Sequence, residues 1–349
     1  AADAAHPRMA AASGKRIVEM VWEDLTPDRI LTRKSFENAL TVHMAVAGST
    51  NAIIHLIAMA GRAGVSLTPD DFDAFSRTVP VIANLRPSGA FLMEDFFYAG
   101  GLPALLKQLE SKLHTDAMTV TGKPLSETIA LATVYDDDVI RPLARAVSTA
   151  NGLAVLKGNI APDGCVIKPS AAEPHLLKHS GPALVFEDYD AMMRAVNDES
   201  LDVTRDHIMV LKNCGPVGGP GMPEWGMMPI PKKLLKLGVR DMLRISDARM
   251  SGTSYGACVL HVAPEAYIRG PLAAVKTGDI ISVDVEARTI SVNLSDAEIA
   301  ARLKAWTPPD RDYPRGWGKM SAAHIRQADK GCDFDYLEGT AKIPEPEIH

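Results

Sequence analysis

The stretch Asn213-Cys-Gly-Pro-Val-Gly-Gly-Pro-Gly-Met-Pro-Glu224 sets one carboxylate at the end of a loop rich in glycine and proline. Glycine permits positive φ or close backbone approach, and proline fixes φ and removes a donor, so this segment is neither ordinary helix nor central strand. A carboxylate presented by such a backbone suits a hard cation such as Mg²⁺, which takes one or two carboxylates and fills its shell with water and substrate oxygens. Two roles stay open for Glu224: cation ligand, or cap of a helix that starts near Pro229.

A second concentration of polar groups follows a short apolar run, Arg244-Ile-Ser-Asp-Ala-Arg249-Met-Ser251-Gly-Thr-Ser-Tyr-Gly256. The Ser251 hydroxyl could act as nucleophile or base only if a metal, a cation or oriented amides lowered its pKa. Its surroundings do not form the GxSxG elbow, and the linear nearness of Asp247 and His261 says little about triad geometry. Arg244 and Arg249 each offer a planar fork to an acid, or a salt bridge within the fold. Ser49, Thr50 and Asn51 precede a helix whose first amides would receive an anion, or serve as simple caps. His43 and His55 sit in apolar helical surroundings that fit core or interface histidines, and the methionines around Met222, Met227 and Met228 fit packing. A metal hydrolase built on Glu224 with His207 or His261 has no HExxH or comparable spacing behind it.

These groups need elements to place them. Apolar residues recur at helical spacing from Ser35 to Ala47 and again from Ala52 to Ala60, where a helix apolar on most faces predicts deep burial, with Gly61 or Gly64 as its end. Thr68-Pro69-Asp70-Asp71 starts another helix, with acids at the positive end of its dipole. Gly100 to Leu109 forms a further one. Residues of about 111 to 150, with Asp136-Asp137-Asp138 as a solvated run, connect two domains, 1–149 and 150–349. Beyond them come short β-prone runs at Leu153–Lys157, Cys165–Lys168, Ala183–Glu187, His207–Leu211, Met242–Ile245, Ile280–Val285 and Thr289–Val292. The last two make a hairpin, and helices at Asp188–Val196, Pro229–Leu237, Asp296–Lys304 and His324–Ala328 accompany the strands. Short strands with few intervening helices predict a compact barrel rather than a regular βαβ series.

The chain of 349 residues carries a formal charge of -6 and no Lys/Arg-rich stripe, which argues against nucleic acid as the main partner and for small-molecule chemistry. Its 46% hydrophobic content is ordinary for a globular protein, and no apolar run approaches the length that crosses a bilayer. Cys165, Cys214, Cys258 and Cys332 are dispersed, which fits buried free thiols better than a disulfide framework or a metal site. No signal-peptide pattern opens the sequence, and the expected location is cytoplasmic.

Five pieces in order, Gly48-Ser-Thr-Asn51, Gly100-Gly-Leu-Pro103, Leu156-Lys-Gly-Asn159, Gly215 through Glu224, and Asp247-Ala-Arg-Met-Ser-Gly-Thr253 running into His261-Val-Ala-Pro-Glu265, resemble the dihydroxy-acid and sugar-acid dehydratases. Ser251-Gly-Thr-Ser-Tyr-Gly256 and the ending Ala328-Asp-Lys-Gly-Cys-Asp-Phe-Asp-Tyr-Leu337 are similar to the aldonate branch. The resemblance implies an α/β fold class, with the remainder of an α/β N-terminal domain followed by a β-barrel-like C-terminal domain. It implies a hydro-lyase that converts a 2,3-dihydroxy sugar acid into a 2-keto-3-deoxy acid. Glu224 would be a ligand of Mg²⁺, which holds the carboxylate and C2 oxygen. Ser251 would remove the C2 proton, and a [2Fe-2S] cluster would act on the departing C3 hydroxyl. Thr253, Arg249, Ser49 and Thr50 would line the substrate cleft. The family's cluster cysteines, further Mg²⁺ carboxylates and active-site lysine belong upstream of the part that matches Ala1, so the chain resembles the carboxy-terminal portion. A homodimer or dimer of dimers is implied as well. A branched-chain dihydroxy acid as substrate, and a scaffold that has lost the cluster, are the alternatives.

Overall fold

The computed structural model describes residues 3–252, 254–311 and 313–337. Thr253 lies outside them. The helices, in chain order, are α1 (Ala5–Trp22), α2 (Pro27–Ile30), α3 (Arg33–Ala45), α4 (Asn51–Arg62), α5 (Pro69–Thr78), α6 (Met93–Tyr98), α7 (Gly101–Gln108), α8 (Leu125–Thr128), α9 (Tyr189–Asn197), α10 (Lys232–Lys236), α11 (Asp296–Ala305) and α12 (Gly316–His324). The strands are β1 (Ala154–Gly158), β2 (Ala161–Ile167), β3 (Lys178–Phe186), β4 (Ile208–Leu211), β5 (Arg244–Ser246), β6 (Cys258–Ala263), β7 (Ile280–Asp284) and β8 (Thr289–Val292). The chain is therefore mixed helix and sheet.

The eight strands close a barrel in the order β1-β2-β6-β5-β4-β3-β7-β8. Strands β3, β4, β5 and β6 run parallel to one another, β3 meets β7 and β6 meets β2 antiparallel, and β7 and β8 form the expected hairpin, with Asp284 paired to Thr289. A single parallel pairing, Lys157 with Thr289, shuts the circle. Side chains alternate across a strand, and each barrel strand divides its residues between two cores. Ile208 and Val210 of β4 point into the barrel with Ala154, Leu156, Ile167, Ile245 and Val259. Their neighbours Met209 and Leu211 pack outward under α9 and α10, with Met192, Val196 and Leu234. Val155 and Val166 also face outward, and there they join Leu40, Met44, Ile53, Phe72 and Leu105 in the core of the helical part. Helices and barrel thus share buried surface.

Local chemistry explains most boundaries. Thr32 accepts from the Ser35 amide and Ser35 Oγ from the Thr32 amide, a reciprocal cap that starts α3. Asp188 caps α9 through the Ala191 amide, and Ser295 caps α11 with Glu298 reaching back. Before residue 150 the described residues form helices, turns and isolated bridges, and the barrel supplies the named strands, so the N-terminal α/β expectation is neither met nor overturned by them. Several expectations are corrected. Helix α1 spans a stretch for which the sequence suggests no element, and among the described residues it buries only Met20. Helix α4 is buried on one side only, through Ile53, Ile54, Ile57 and Ala60, while Met59 is 47% exposed. The final helix ends at His324 instead of starting there, and 328–330 is a single 3₁₀ turn. Among the described residues no helix is long and apolar enough to cross a membrane.

Candidate functional site

The Gly/Pro loop leaves the end of β4, and the 247–256 segment leaves the end of β5, its parallel neighbour. Adjacent parallel strands therefore deliver both motifs to the same end of the barrel. A buried carboxylate then ties them together. Asp247 is fully buried and accepts the amide protons of Asn213 at 3.1 Å, Cys214 at 2.9 Å and Ala266 at 2.9 Å. Burial raises its pKa to about 6, against the pull of those amides. Glu265, equally buried, takes the amides of Val217 at 2.8 Å and Gly218 at 3.4 Å, and its pKa rises to about 8 through burial and the nearby Asp247 charge. Asp247 and Glu265 are thus clamps on the loop, and Asp247 spends its acceptors on amides rather than orienting a histidine.

Arg249 completes the clamp from outside. Its Nε donates to the Met222 carbonyl at 2.5 Å and its Nη2 to the Gly221 carbonyl at 3.2 Å, while its own carbonyl accepts from the Gly226 amide at 2.8 Å. The same side chain lines a cavity of about 520 Å³ with His55, Arg62, Met222 and Cys332. Arg244, by contrast, is 1% exposed and paired with Asp241 at 2.6 Å, which makes it an internal strut. Its Nη1 and Nε go to the carbonyls of Met228 and Met242, so the salt-bridge role is the one it fills.

The turn before α4 arrives at this cluster from the helical half. Asn51 Nδ2 donates to Glu224 Oε1 at 2.7 Å, and Ser49 Oγ accepts from the Asn51 amide at 3.2 Å. A Cβ placed on Gly252 would stand 2.8 Å from Ser49 Oγ, so glycine beside Ser251 is what lets the two backbones meet. Glu224, Ser49, Thr50, Arg249 and Ser251 therefore come to one junction of three segments. Thr50 is 2% exposed, caps no amide, and its Oγ1 has no partner among the described residues. Nothing is described of Thr253. Glu224 does not cap α10, whose preceding residues are Pro229 to Pro231.

His261 sits at φ 57° within β6, with a register shift opposite it between Gly164 and Val166. Its ring is buried, Nε2 is without a partner, and burial with the Arg249 charge lowers its pKa to about 3. His207 bonds the Thr204 amide at 3.1 Å, and no group of three or more His, Cys, Asp or Glu suited to a metal occurs among the described residues. Glu224 beside the Asn51 carboxamide fits a hard cation that takes one protein carboxylate and completes its shell elsewhere. The cysteines do not fit an iron–sulfur cluster: Cys165, Cys214 and Cys258 are buried apart on the barrel, burial raises the thiol pKa of each, and Cys332 lies against Met222.

Sequence reasoning passed over the Asp247 and Glu265 clamps and Lys168. Their one legible sign is a charge at the border of an apolar strand, as in Cys165-Val-Ile-Lys168 and Arg244-Ile-Ser-Asp247.

Residues 1–128 match the family model described as dihydroxy-acid/6-phosphogluconate dehydratase N-terminal, and residues 138–332 match its C-terminal counterpart. The chain is 53% identical to a 6-deoxy-6-sulfo-D-gluconate dehydratase of Pseudomonas putida, over 100% of this chain and 61% of that protein. It is 51% identical to an L-arabinonate dehydratase of Rhizobium leguminosarum bv. trifolii, over 95% and 58%. Identity to a dihydroxy-acid dehydratase of Caldicellulosiruptor saccharolyticus is 41%, over 94% and 59%. The chain thus spans about three fifths of the length of these curated relatives.

Proposed function

The chain belongs to the dihydroxy-acid/6-phosphogluconate dehydratase family, and on that premise we propose that it serves a hydro-lyase that removes water from a 2,3-dihydroxy sugar acid, an aldonate, to give a 2-keto-3-deoxy acid. The observation that carries this reading is the junction of Glu224, the Ser49–Asn51 turn and the Ser251–Gly252 segment, where the Asn51 carboxamide meets the Glu224 carboxylate and Gly252 lies against Ser49. Such a set binds a polyhydroxylated acid. The higher identity to sugar-acid dehydratases, 53% and 51% against 41%, favours an aldonate over a branched-chain dihydroxy acid.

In this reading Glu224 holds Mg²⁺, and Asn51 fixes the carboxylate. When bound, Mg²⁺ supplies the Lewis acidity that makes a hydrogen beside a carboxylate removable. Ser251 Oγ, as the alkoxide, takes the proton from C2, the electron pair of that C–H bond becomes the C2–C3 double bond, and the C3–O bond breaks with its pair on oxygen; the hydroxide takes the same proton back from Ser251 and departs as water, which restores the alkoxide. The resulting enol tautomerises to the 2-keto acid. Ser49, Thr50, Thr253 and Arg249 bind substrate oxygens, Arg249 also by keeping the Gly/Pro loop in place. The four cysteines of this chain do not fit a [2Fe-2S] cluster. Residues 1–149 would be the C-terminal part of an α/β domain with its linker, and 150–349 the barrel domain, of a cytoplasmic homodimer or dimer of dimers.

The test is product formation from a panel of pentonates, hexonates and a branched-chain dihydroxy acid, with 2-keto acid trapped and measured. Ser251→Ala should stop both water loss and deuterium exchange at C2 while the acid still binds. Exchange at the normal rate in that variant would remove Ser251 from the role, and turnover confined to the branched-chain acid would replace the aldonate reading.

A further inference from the structure

Among the described residues, the buried arginines and lysines other than Lys168 each meet a carboxylate, and the buried Asp247 and Glu265 meet backbone amides. Arg244 meets Asp241, Lys212 meets Glu187 and the Ala273 carbonyl, and Arg288 meets Asp73. Lys168 is 6% exposed, yet its ammonium makes no hydrogen bond or ion pair among the described residues. Burial alone accounts for the lowering of its pKa to about 8. An ammonium taken out of water without a counter-charge is costly, and proteins keep such groups where something else supplies the charge.

Its surroundings are those of the site. Lys168 follows the last residue of β2, whose Ile167 pairs with Val259 of β6. Three residues on, the Ala171 carbonyl accepts from the Gly256 amide at 2.8 Å, so the 168–171 segment runs beside the segment that carries Ser251. On the other flank is His43, whose pKa falls to about 4 through burial and then the Lys168 charge. The His43 ring in turn covers Gly48, where a Cβ would come within 2.3 Å of Nδ1. Two further buried atoms on that flank lack partners, His43 Nε2 and Thr50 Oγ1. Three buried polar side chains with unused hydrogen-bonding capacity therefore belong to segments that meet next to Ser49 and Gly252.

We propose that Lys168, with His43 beside it and Thr50 on the turn that follows Gly48, binds an oxyanion of the sugar acid, either the carboxylate at C1 or an acidic group at the far end of the carbon chain. The inference rests on the sugar-acid reading above. Such binding does not require the planar fork of a guanidinium, because an ammonium is a point charge with three donors and accepts an oxyanion from any direction.

Competitive acylation of the holoprotein, followed by peptide mass analysis, tests it, with exposed Lys157 as internal reference. A plain pentonate, a hexonate bearing a terminal sulfonate, and the uncharged pentitol are compared at concentrations that calorimetry shows to be saturating for the acids. Acylation of Lys168 should slow at least tenfold with a bound acid and stay unchanged with the pentitol. Equal protection by both acids assigns the carboxylate, and protection by the sulfonated acid alone assigns the terminal anion. No protection by a bound acid, or equal protection by the pentitol, overturns the proposal. If calorimetry shows that neither acid binds, the sugar-acid reading has failed, and inorganic sulfate becomes the probe: protection by sulfate keeps the oxyanion site and its absence ends it. In the same holoprotein Lys168→Met should raise KM at least tenfold with kcat less affected, and Lys168→Arg should recover most of the loss. A KM unchanged in Lys168→Met with turnover intact would discard the site and leave the dehydratase reading standing.

Discussion

Asn51 Nδ2 lies 2.7 Å from Glu224 Oε1, across 173 residues of sequence, while Asn51 Oδ1 is buried with no partner. The two ends of a carboxamide differ only in which atom donates, so a half-turn would set Oδ1 beside the carboxylate. That second orientation suits a cation held between two oxygens. One contact thus links the helical half to the Gly/Pro loop and has a use for either state of the site.

Replacement of Asn51 by Asp should expose this relationship. Two carboxylates at hydrogen-bond distance repel, and the loss of one charge-assisted hydrogen bond is worth about 1.5–3 kcal/mol. Thermal melts without divalent cations should show Asn51→Asp well below the wild type, and millimolar Mg²⁺ should recover more of the deficit than it adds to the wild type. An identical Mg²⁺ increment in both proteins would mean that the pair does not face a cation.

Asp247 carries a larger structural load than any residue of the catalytic reading. Asparagine retains one acceptor where three amide donors converge on two oxygens. Its NH₂ must also face a donor, and a buried donor left unsatisfied costs about 1–3 kcal/mol. Asp247→Asn should therefore destabilise by about 3 kcal/mol in urea titrations, and hydrogen exchange should quicken first at Asn213 and Cys214.

How much of this was legible in the sequence follows from the range over which each feature is encoded. The caps at Asp188 and Ser295 and the β7–β8 hairpin are local, and local chemistry announces them. The barrel was legible as a set of short runs, but β6 was not, because Gly256, His261 and Pro264 break up the apolar run that Cys258-Val-Leu260 begins. Helix α1 was missed for the opposite reason: with Ile17, Val18, Val21 and Trp22 exposed, its apolar residues do not mark a face against this barrel. The motifs that hold Glu224 and Ser251 could be read as special from their glycines and prolines. Their convergence could not, since it depends on β4 and β5 being parallel neighbours and on Asp247 reaching back 34 residues to Asn213.

The Arg244–Asp241 pair gives a test of geometry against charge. Asp241 also receives the amides of Met242 at 2.9 Å, Ala257 at 2.9 Å and Glu173 at 3.1 Å, while Arg244 spreads its donors over Asp241 and two carbonyls. Lysine keeps the charge but not the fork. Arg244→Lys should cost nearly as much as Arg244→Met, about 3–5 kcal/mol for a broken buried pair. A lysine variant as stable as wild type by chemical denaturation would show that charge alone holds the site.

Glu265 should give the protein a stability that declines as pH rises through neutrality. Its unfolded value is 4.5 and its folded value about 8, raised by burial and then by the Asp247 charge. A carboxyl whose pKa is raised on folding contributes stability that is fully present below 4.5 and is lost as pH climbs to 8, because the native state holds the extra proton across that window. Asp247 acts with the same sign between 3.8 and about 6. His43 and His261 oppose both: their folded values fall to about 4 and about 3 from 6.5, so they add stability as pH rises to 6.5 and nothing beyond. Just above pH 6.5 Glu265 therefore dominates, before Lys168, whose folded value falls to about 8 from 10.5 through burial, begins to act with the opposite sign near pH 8. Over that range the wild-type Tm should fall, and Glu265→Gln, which keeps an acceptor for the Val217 amide, should flatten the slope and melt higher than wild type at pH 8. A Tm that falls equally steeply in Glu265→Gln would place the titrating group elsewhere.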